Sequence, residues 1–428
     1  MDLPEVLEVE PLAAMPAASL VIPGSKSITN RALVLAALAD GEVTLEGALW
    51  SDDTQVMCES LTRLGFELTV ELDPAEPANR TVTVCGQGGA IPNGGTASDP
   101  LELFVGNAGT AARFLTALVA LGRGVYRLSG VPRMAERPQE PLLEGLRSLG
   151  FRVDSANGRL PAVVHGGEPR NARCRVSARE SSQFASALIL AGRAGGWTVE
   201  VSDADSDELP YVEMTRRMLE VFAHDGGRFQ VEPDASSASY FWGAAWLLAK
   251  DRTVAGWREG SPLRIEGWPS SGWQVDERFP DFLPLPSEVS RDRDLGDSIM
   301  TAIVLAPFAD EPVRFTDLGR LRLQECERVL ALRTELTKCG ADVVEEGDTL
   351  TVFPGELHGA EIETYDDHRM AMCFGMLGLA VPGIRVRNPA CVGKTFPNFW
   401  EKLSAPPPEG LGATPRAPDA HSALRTSH

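Results

Sequence analysis

No apolar stretch of the 428-residue chain reaches the roughly 18 residues that a helix needs to span a bilayer. The longest, Met370 to Ile384, is interrupted by Gly375, Gly378 and Pro382, so no membrane helix is expected. The N-terminal MDLPEVLEVE is acidic and lacks both the cationic start and the apolar centre of a secretory signal. Cys-x-x-Cys spacing is absent. Seven cysteines lie scattered at 58, 85, 174, 326, 339, 373 and 391, an odd number that suits neither a disulfide framework nor a structural zinc site. A cytoplasmic protein with reduced, buried thiols and no metal is expected. Positive charge is scarce as well, with 40 Lys and Arg against 60 Asp and Glu and a net charge of −20. Such a surface repels nucleic acid and anionic lipid, and neither is expected as a partner. Any anionic ligand must therefore meet a concentrated cationic pocket. Several chemical signatures are missing too. There is no Gly-x-Ser-x-Gly and no His-Glu-x-x-His, which removes the best markers of triad hydrolases and zincins. Asn388 stands where a phosphate loop ending in Gly393-Lys394-Thr395 needs its first Gly, and CGQGGA (85–90) lacks the third Gly of a dinucleotide fingerprint.

What is present is a globular composition, 43% apolar and 23% charged, in a chain long enough for two or three domains at roughly 150 residues each. Within it one pattern recurs six times. A polar start rich in Ser, Asn, Asp and Gly leads into a helix-length run of small and apolar residues, then a turn and a β-branched stretch. The runs begin near Asn30, Ala111, Ser182, Ala238, Asp297 and His368. Because they are apolar on nearly every side, they are expected as interior helices. A second, amphipathic helix ending in Gly and followed by a strand recurs at 60–70, 145–153, 218–231 and 335–352. It is missing between Trp257 and Asp294, where Pro262, Pro269, Pro280, Pro284 and Pro286 forbid a long helix. Three repeats per half predict an α/β protein of two pseudo-threefold domains with buried helices. The Pro/Ala-rich segment 404–428 is read as a disordered tail.

Cations cluster where these helices start, and helix N-termini are themselves anion sites. Lys26 and Ser27 open the first helix with Arg31 a turn later; Gly109 and Thr110 open the second with Arg113; His368 and Arg369 open the sixth. The third opens on Ser181, Ser182 and Gln183, with Arg179 just before. Arg133, Arg137 and Lys394 lie in loops. Taken singly each is an ordinary surface charge, but together they suit two small polyanions such as phosphates or carboxylates. Asp297 alone suits an N-cap of the fifth helix, Glu325 an exposed helix residue, and His368 a satisfied first-turn core residue.

Seven ordered motifs, PGSKSITNRAL, GNAGTAARFL, GVPRMAERP, ESSQFASALIL, PDASSASYF, YDDHRMAM and GKTFPNFW, span residues 23–400. Together they resemble the 5-enolpyruvylshikimate-3-phosphate synthase family. The resemblance implies two inverse α/β-prism domains, each of three βαβαββ repeats, closing around the ligands. One domain would be 1–22 with 234–403 and the other 23–233. It also implies transfer of the enolpyruvyl group of phosphoenolpyruvate to the 5-hydroxyl of shikimate 3-phosphate with release of phosphate, without metal; no cofactor is expected, and a monomer is. The phosphoshikimate contacts it implies are Lys26, Ser27, Arg31, Ser181, Ser182, Gln183, Tyr211 and Asp297. Those to phosphoenolpyruvate are Lys26, Gly109, Arg133, Gln183, Arg328, His368, Arg369 and Lys394. Thr110, Arg113, Arg320 and Gln324, beside these in the sequence, are expected as further substrate contacts. The reaction needs a base for the hydroxyl proton and an acid for the enol methylene. Asp297 fits the base, and Glu325 with Lys26 the acid.

Four departures from the family pattern stand out. Gln324 replaces a Lys, Arg320 an Asn, Glu208 a phosphate-holding Ser, and Phe114 a Pro found in many members. If 320 and 324 share a helix, their spacing puts both on one face, and Arg320 supplies the charge missing at Gln324. The departures bear on the acceptor and on the response to glyphosate, the family's phosphoenolpyruvate-competitive inhibitor. The sister transferase acting on UDP-N-acetylglucosamine has Asn after the Lys and usually a Cys in its mobile loop. Here Ser27 follows Lys26, and PRMAERPQEP carries no Cys. A binding protein without catalysis and a transferase for a modified shikimate-like acceptor are the remaining alternatives.

Overall fold

A computed structural model describes residues 3–202, 209–250 and 260–418. Glu208, Trp257 and residues 419–428 of the C-terminal segment lie outside the described residues. Two compact units divide the chain. One is formed by Met1–Ile22, Asp234–Pro269 and Val275–His428, and the other by Pro23–Pro233 with Ser270–Gln274.

All six apolar runs are interior helices. In the unit containing Pro23–Pro233 they are α1 (Lys26–Leu38), α2 (Gly109–Leu118) and α3 (Ser182–Gly195). In the other unit they are α4 (Ala235–Leu247), α5 (Ile299–Leu305) and α6 (His368–Gly378). Within each trio every helix touches the other two. The cause is compositional, because α4 (ASSASYFWGAAWL) buries all but one of its residues and has no polar face to present to water. Small residues let the helices approach. A Cβ placed on Gly243 would meet Thr301 Cγ2 at 3.2 Å, Leu305 Cδ1 at 3.3 Å and Met376 Sδ at 3.4 Å. Interior hydroxyls find partners, each other where Ser239 Oγ and Thr301 Oγ1 meet at 2.8 Å, or a carbonyl one turn back where Thr116 Oγ1 donates to Ala112 at 2.6 Å.

Three sheets cover each trio, the inverse α/β-prism arrangement. In the unit of α1–α3 the strand Glu42–Leu49 lies between Asn79–Cys85 (antiparallel) and Gly227–Gln230 (parallel). Its register pairs Val43 with Val84 and Leu45 with Val82, all fully buried, so one face of the ladder supplies core and the alternate residues face outward. The second repeat copies this order with Leu101–Phe104, Val125–Ser129, Ala162–His165 and Arg152–Ser155. The third is reduced to the parallel pair Arg173–Ser177 and Thr198–Ser202. In the other unit Ala18–Val21 pairs with Leu263–Glu266, and Val6–Val9 with Arg385–Arg387. Strands at the start of the chain thus complete sheets made by distant residues.

Between residues 260 and 294 no α-helix forms; Val275–Phe282 is a 3-10 helix containing Pro280. Two tryptophans of this stretch are packing elements. Trp268 meets Trp242 edge-on at 5.7 Å, and Trp273 stacks on Phe229 at 6.2 Å. The segment expected as a tail differs from that expectation over residues 404–418. Pro415–Arg416 pairs with the strand Val6–Val9, Leu411 and Ala413 are buried, and the Ser19 amide donates to the Pro408 carbonyl at 2.8 Å. Its proline content suggested disorder, yet two buried apolar side chains and a short ladder hold it to the sheet. No described helix is long and apolar enough to cross a membrane.

Candidate functional site

Each unit carries one cluster of the expected residues. In the unit of α1–α3 the cluster forms at the starts of the three core helices. Lys26 is the first residue of α1, and its Nζ lies 3.1 Å from Asp53 Oδ2 in the first turn of the helix Asp52–Arg63. Gly109 opens α2 beneath two guanidiniums. A Cβ there would meet Arg137 Nη2 at 2.6 Å, Arg137 Nη1 at 2.8 Å and Arg113 Nη1 at 2.9 Å, so a side chain at this position would displace both guanidiniums. Arg113 and Arg137 are buried, held by the carbonyls of Gly109, Pro138 and Asn107. Ser181 caps α3 by accepting from the Gln183 amide at 3.2 Å, and the Gln183 side chain donates to Thr110 Oγ1 at 3.3 Å, tying α3 to α2. Ser182 is buried beside them, while Ser27 and Tyr211 are half-buried.

Two expected contacts stand apart. Arg31 is built into the interior: its guanidinium donates to Thr215 Oγ1 at 2.7 Å, the Ser27 carbonyl at 2.9 Å, and Ser186 Oγ and the Tyr211 carbonyl at 3.2 Å each. It also lies over the Phe114 ring at 5.2 Å. These bonds make it a strut joining α1 to α3 and to the helix Leu209–Val221. Arg133 is partly exposed and pairs with Glu136 at 2.9 Å.

In the unit of α4–α6 the centre is Asp297. Its carboxylate lies 2.9 Å from Arg369 Nη2, 3.8 Å from Arg328 Nη1 and 4.0 Å from Arg291 Nη2, and it accepts from Gln324 Nε2 at 3.4 Å. Asp297 is therefore not the cap of α5; Ser298 takes that position. Burial acts against its charged form, but Arg369, Arg328 and Arg291 override this and hold its carboxyl well below the usual range. Glu325 is only 10% exposed, not an open surface residue, and reaches Arg328 Nη2 at 2.9 Å. Arg328 in turn is fastened by Asp367 at 2.6 Å and 3.1 Å. Asp367 also caps α6, accepting from the Arg369 amide at 2.9 Å. The turn before it is strained, with Tyr365 and Asp366 both at φ 55°, a region that non-glycine residues seldom occupy. His368 is buried, 3.5 Å from Asp367, and Lys394 is buried at the end of the 3-10 helix Pro389–Lys394.

Arg320 and Gln324 do not share an α-helix. Leu318–Leu323 is a 3-10 helix, and Gln324 leaves it with φ −89° and ψ −141°, so the same-face relation expected from their spacing does not hold. Gln324 instead links Asp297 to Arg328, accepting from Arg328 Nη1.

Sequence reasoning missed Arg291 and Asp276. Arg291 sits in the alternating run SRDRDLGDS, where nothing separates it from a solvated charge, yet its side chain is 3% exposed. Asp276 lies in the proline-rich stretch without a helix and is 2% exposed. It accepts from the amides of Gly296 (2.7 Å) and Ser298 (3.2 Å) and from Ser298 Oγ (2.6 Å), and also from Ser236 Oγ. Burial raises its pKa, with Asp297 adding to that, while Ser236 and Ser298 oppose it. No group of three or more His, Cys, Asp or Glu placed to hold a metal occurs among the described residues.

The family model described as EPSP synthase (3-phosphoshikimate 1-carboxyvinyltransferase) matches residues 16–264 and 287–403. Among curated proteins, the 3-phosphoshikimate 1-carboxyvinyltransferase of Trichormus variabilis is 37% identical over 90% of this chain and 95% of its own length. The protein of the same name from Opitutus terrae is also 37% identical, over 94% and 98%. Among solved structures, an EPSP synthase from Acinetobacter baumannii aligns with TM-score 0.69 at 21% identity, over 96% of this chain and all of that one. The enolpyruvyl transferase NikO from Streptomyces tendae aligns with TM-score 0.69 at 18% identity, over 96% and 99%. At these identities the two structures speak for the fold.

Proposed function

From the membership of this chain in the EPSP synthase family, we infer that it transfers the enolpyruvyl group of phosphoenolpyruvate to the 5-hydroxyl of shikimate 3-phosphate and releases phosphate. The observation that carries the chemistry is the pair Asp297 and Glu325, two carboxylates held by one guanidinium at 3.8 Å and 2.9 Å. The acceptor hydroxyl must lose its proton as it attacks C2 of the enol, and C3 must gain one. The double bond returns when a proton leaves C3 and the C2–O bond to phosphate breaks. Acid and base roles alternate in that sequence, which a pair of carboxylates in unlike surroundings can supply.

Asp297 takes the hydroxyl proton in this reading, and Glu325 serves the methylene. The ion pairs around Asp297 bear on how. Arg328 and Arg369, which hold the Asp297 carboxyl low, are also the groups assigned to phosphoenolpyruvate. An anionic substrate that takes up their donors loosens their grip on Asp297, and the carboxylate becomes more basic as the substrate arrives. Lys26, Gln183, Ser181 and Ser182 serve the phosphoshikimate, with Arg113 and Arg137 adding positive charge beside Gly109 at the start of α2.

The test is phosphate release from phosphoenolpyruvate with shikimate 3-phosphate or UDP-N-acetylglucosamine as acceptor. Release with the first alone is the expected result. Release with neither leaves a binding protein or a transferase for a modified acceptor.

A further inference from the structure

We propose that Asp276 is the positioning residue for Asp297, an inference that rests on the reaction assigned above. Asp297 stands on a short turn, and Asp276 grips that turn on both sides of it. The Gly296 amide donates to Oδ1 at 2.7 Å from the preceding residue; the Ser298 amide (3.2 Å, to Oδ2) and hydroxyl (2.6 Å, to Oδ1) donate from the following one. The grip is anchored from behind by α4, whose Ser236 hydroxyl donates to Oδ2. Both oxygens therefore accept two bonds each, all four from donors. A carboxylate satisfies such a set and an amide does not, since its NH2 group would face the backbone N–H of Gly296 or Ser298, neither of which can accept. Asp276 is 2% exposed, so water cannot replace a lost bond.

This arrangement exceeds what holding the fold requires. α4 and α5 are already joined by Ser239 and Thr301, so Asp276 is not needed to link them. What Asp276 adds is the aim of the one side chain between its two backbone contacts. That side chain needs aiming, because Arg369, Arg328 and Arg291 pull on it from separate elements. A carboxylate free to collapse onto any of them loses its approach to the acceptor hydroxyl, and a misplacement of about 1 Å can lower a rate about a hundredfold. Asp276 touches no reacting atom in this account and acts through Asp297.

The experiment measures kcat and KM for both substrates by phosphate release, with thermal unfolding alongside, for the parent, Asp276→Asn and Ser298→Ala. Asp276→Asn is expected to lower kcat about a hundredfold while both KM values stay within about threefold. Ser298→Ala, which removes one bond and keeps the carboxylate, is expected to lower kcat about tenfold with KM again held. Ser298→Ala decides the matter if Asp276→Asn does not fold. A parent with no phosphate release overturns the assigned reaction and this inference with it. An active parent whose folded variants keep kcat within twofold, or lose stability while kcat and KM stay put, overturns the positioning role alone.

Discussion

Replacing Asp297 with Asn should separate catalysis from binding, in opposite directions. The amide keeps the shape of the carboxylate but cannot accept the hydroxyl proton, and loss of a general base typically lowers turnover about 10²- to 10⁴-fold. Affinity should move the other way. In the parent, the carboxylate occupies the Arg369 guanidinium at 2.9 Å and lies within 4.0 Å of Arg328 and Arg291. An anionic ligand must share or displace it. Once the charge is gone, the ligand gains roughly one charge-assisted hydrogen bond, about 1.5–3 kcal/mol, which corresponds to about ten- to a hundredfold tighter binding. Calorimetric titration of phosphoenolpyruvate in the presence of shikimate 3-phosphate, beside steady-state rates, measures both. Weaker binding would mean that the carboxylate organises the guanidiniums instead of competing for them. Near-parental turnover would remove Asp297 from the proton transfer.

The same carboxyl sets a pH dependence of stability. Its folded pKa lies below the unfolded value of about 3.9, so its stabilisation is fully present above that value and is lost as pH falls below it. Asp297→Asn should therefore unfold with a shallower slope than the parent below about pH 4, as acid titrations followed by fluorescence would read. Gly109→Ala puts a Cβ 2.6 Å from Arg137 Nη2, so both cations must shift; KM for phosphoenolpyruvate should rise about tenfold while the melting midpoint is unchanged. Gly243→Val overfills the meeting point of α4, α5 and α6 and should cost about 1–3 kcal/mol in chemical denaturation. Burial pushes the thiols of Cys58, Cys339, Cys373 and Cys391 up to about 12 and that of Cys174 up to about 11, so a thiol reagent at pH 8 should label half-buried Cys85 first in the native protein and the others only on unfolding.

The six interior helices were legible because a run such as ASYFWGAAWLLA has no polar face in any register, and that property survives without knowledge of its neighbours. Lys26, Gly109, Gln183 and Arg369 were legible because they mark where those runs begin. The failures share one cause, since each depends on partners distant in sequence. The sequence places Arg31 one turn after Lys26 but shows nothing of its bonds to Thr215 and Ser186, which lie far along the chain. Arg291 looks like one charge among five, and only the approach of Asp297 within a buried turn distinguishes it. The pairing of Arg320 with Gln324 assumed 3.6-residue periodicity where the backbone winds as a 3-10 turn. Residues 404–418 carry a disorder-like composition and gain their order from the strand they meet.

The sheet pairings of Val6–Val9 and Ala18–Val21 also set an order of events during synthesis. The first strand hydrogen-bonds to Arg385–Arg387 and Pro415–Arg416, and the second to Leu263–Glu266. At about 5–20 residues per second, the first strand leaves the ribosome tens of seconds before its partners exist. Pro23–Pro233, by contrast, carries all three core helices of its unit in one uninterrupted stretch, and only Ser270–Gln274 joins that unit from later in the chain. Val6–Val9 and Ala18–Val21 thus wait for partners made much later, and until then they remain unpaired apolar strands. That interval is when a nascent chain is most exposed to mispairing and to chaperone capture.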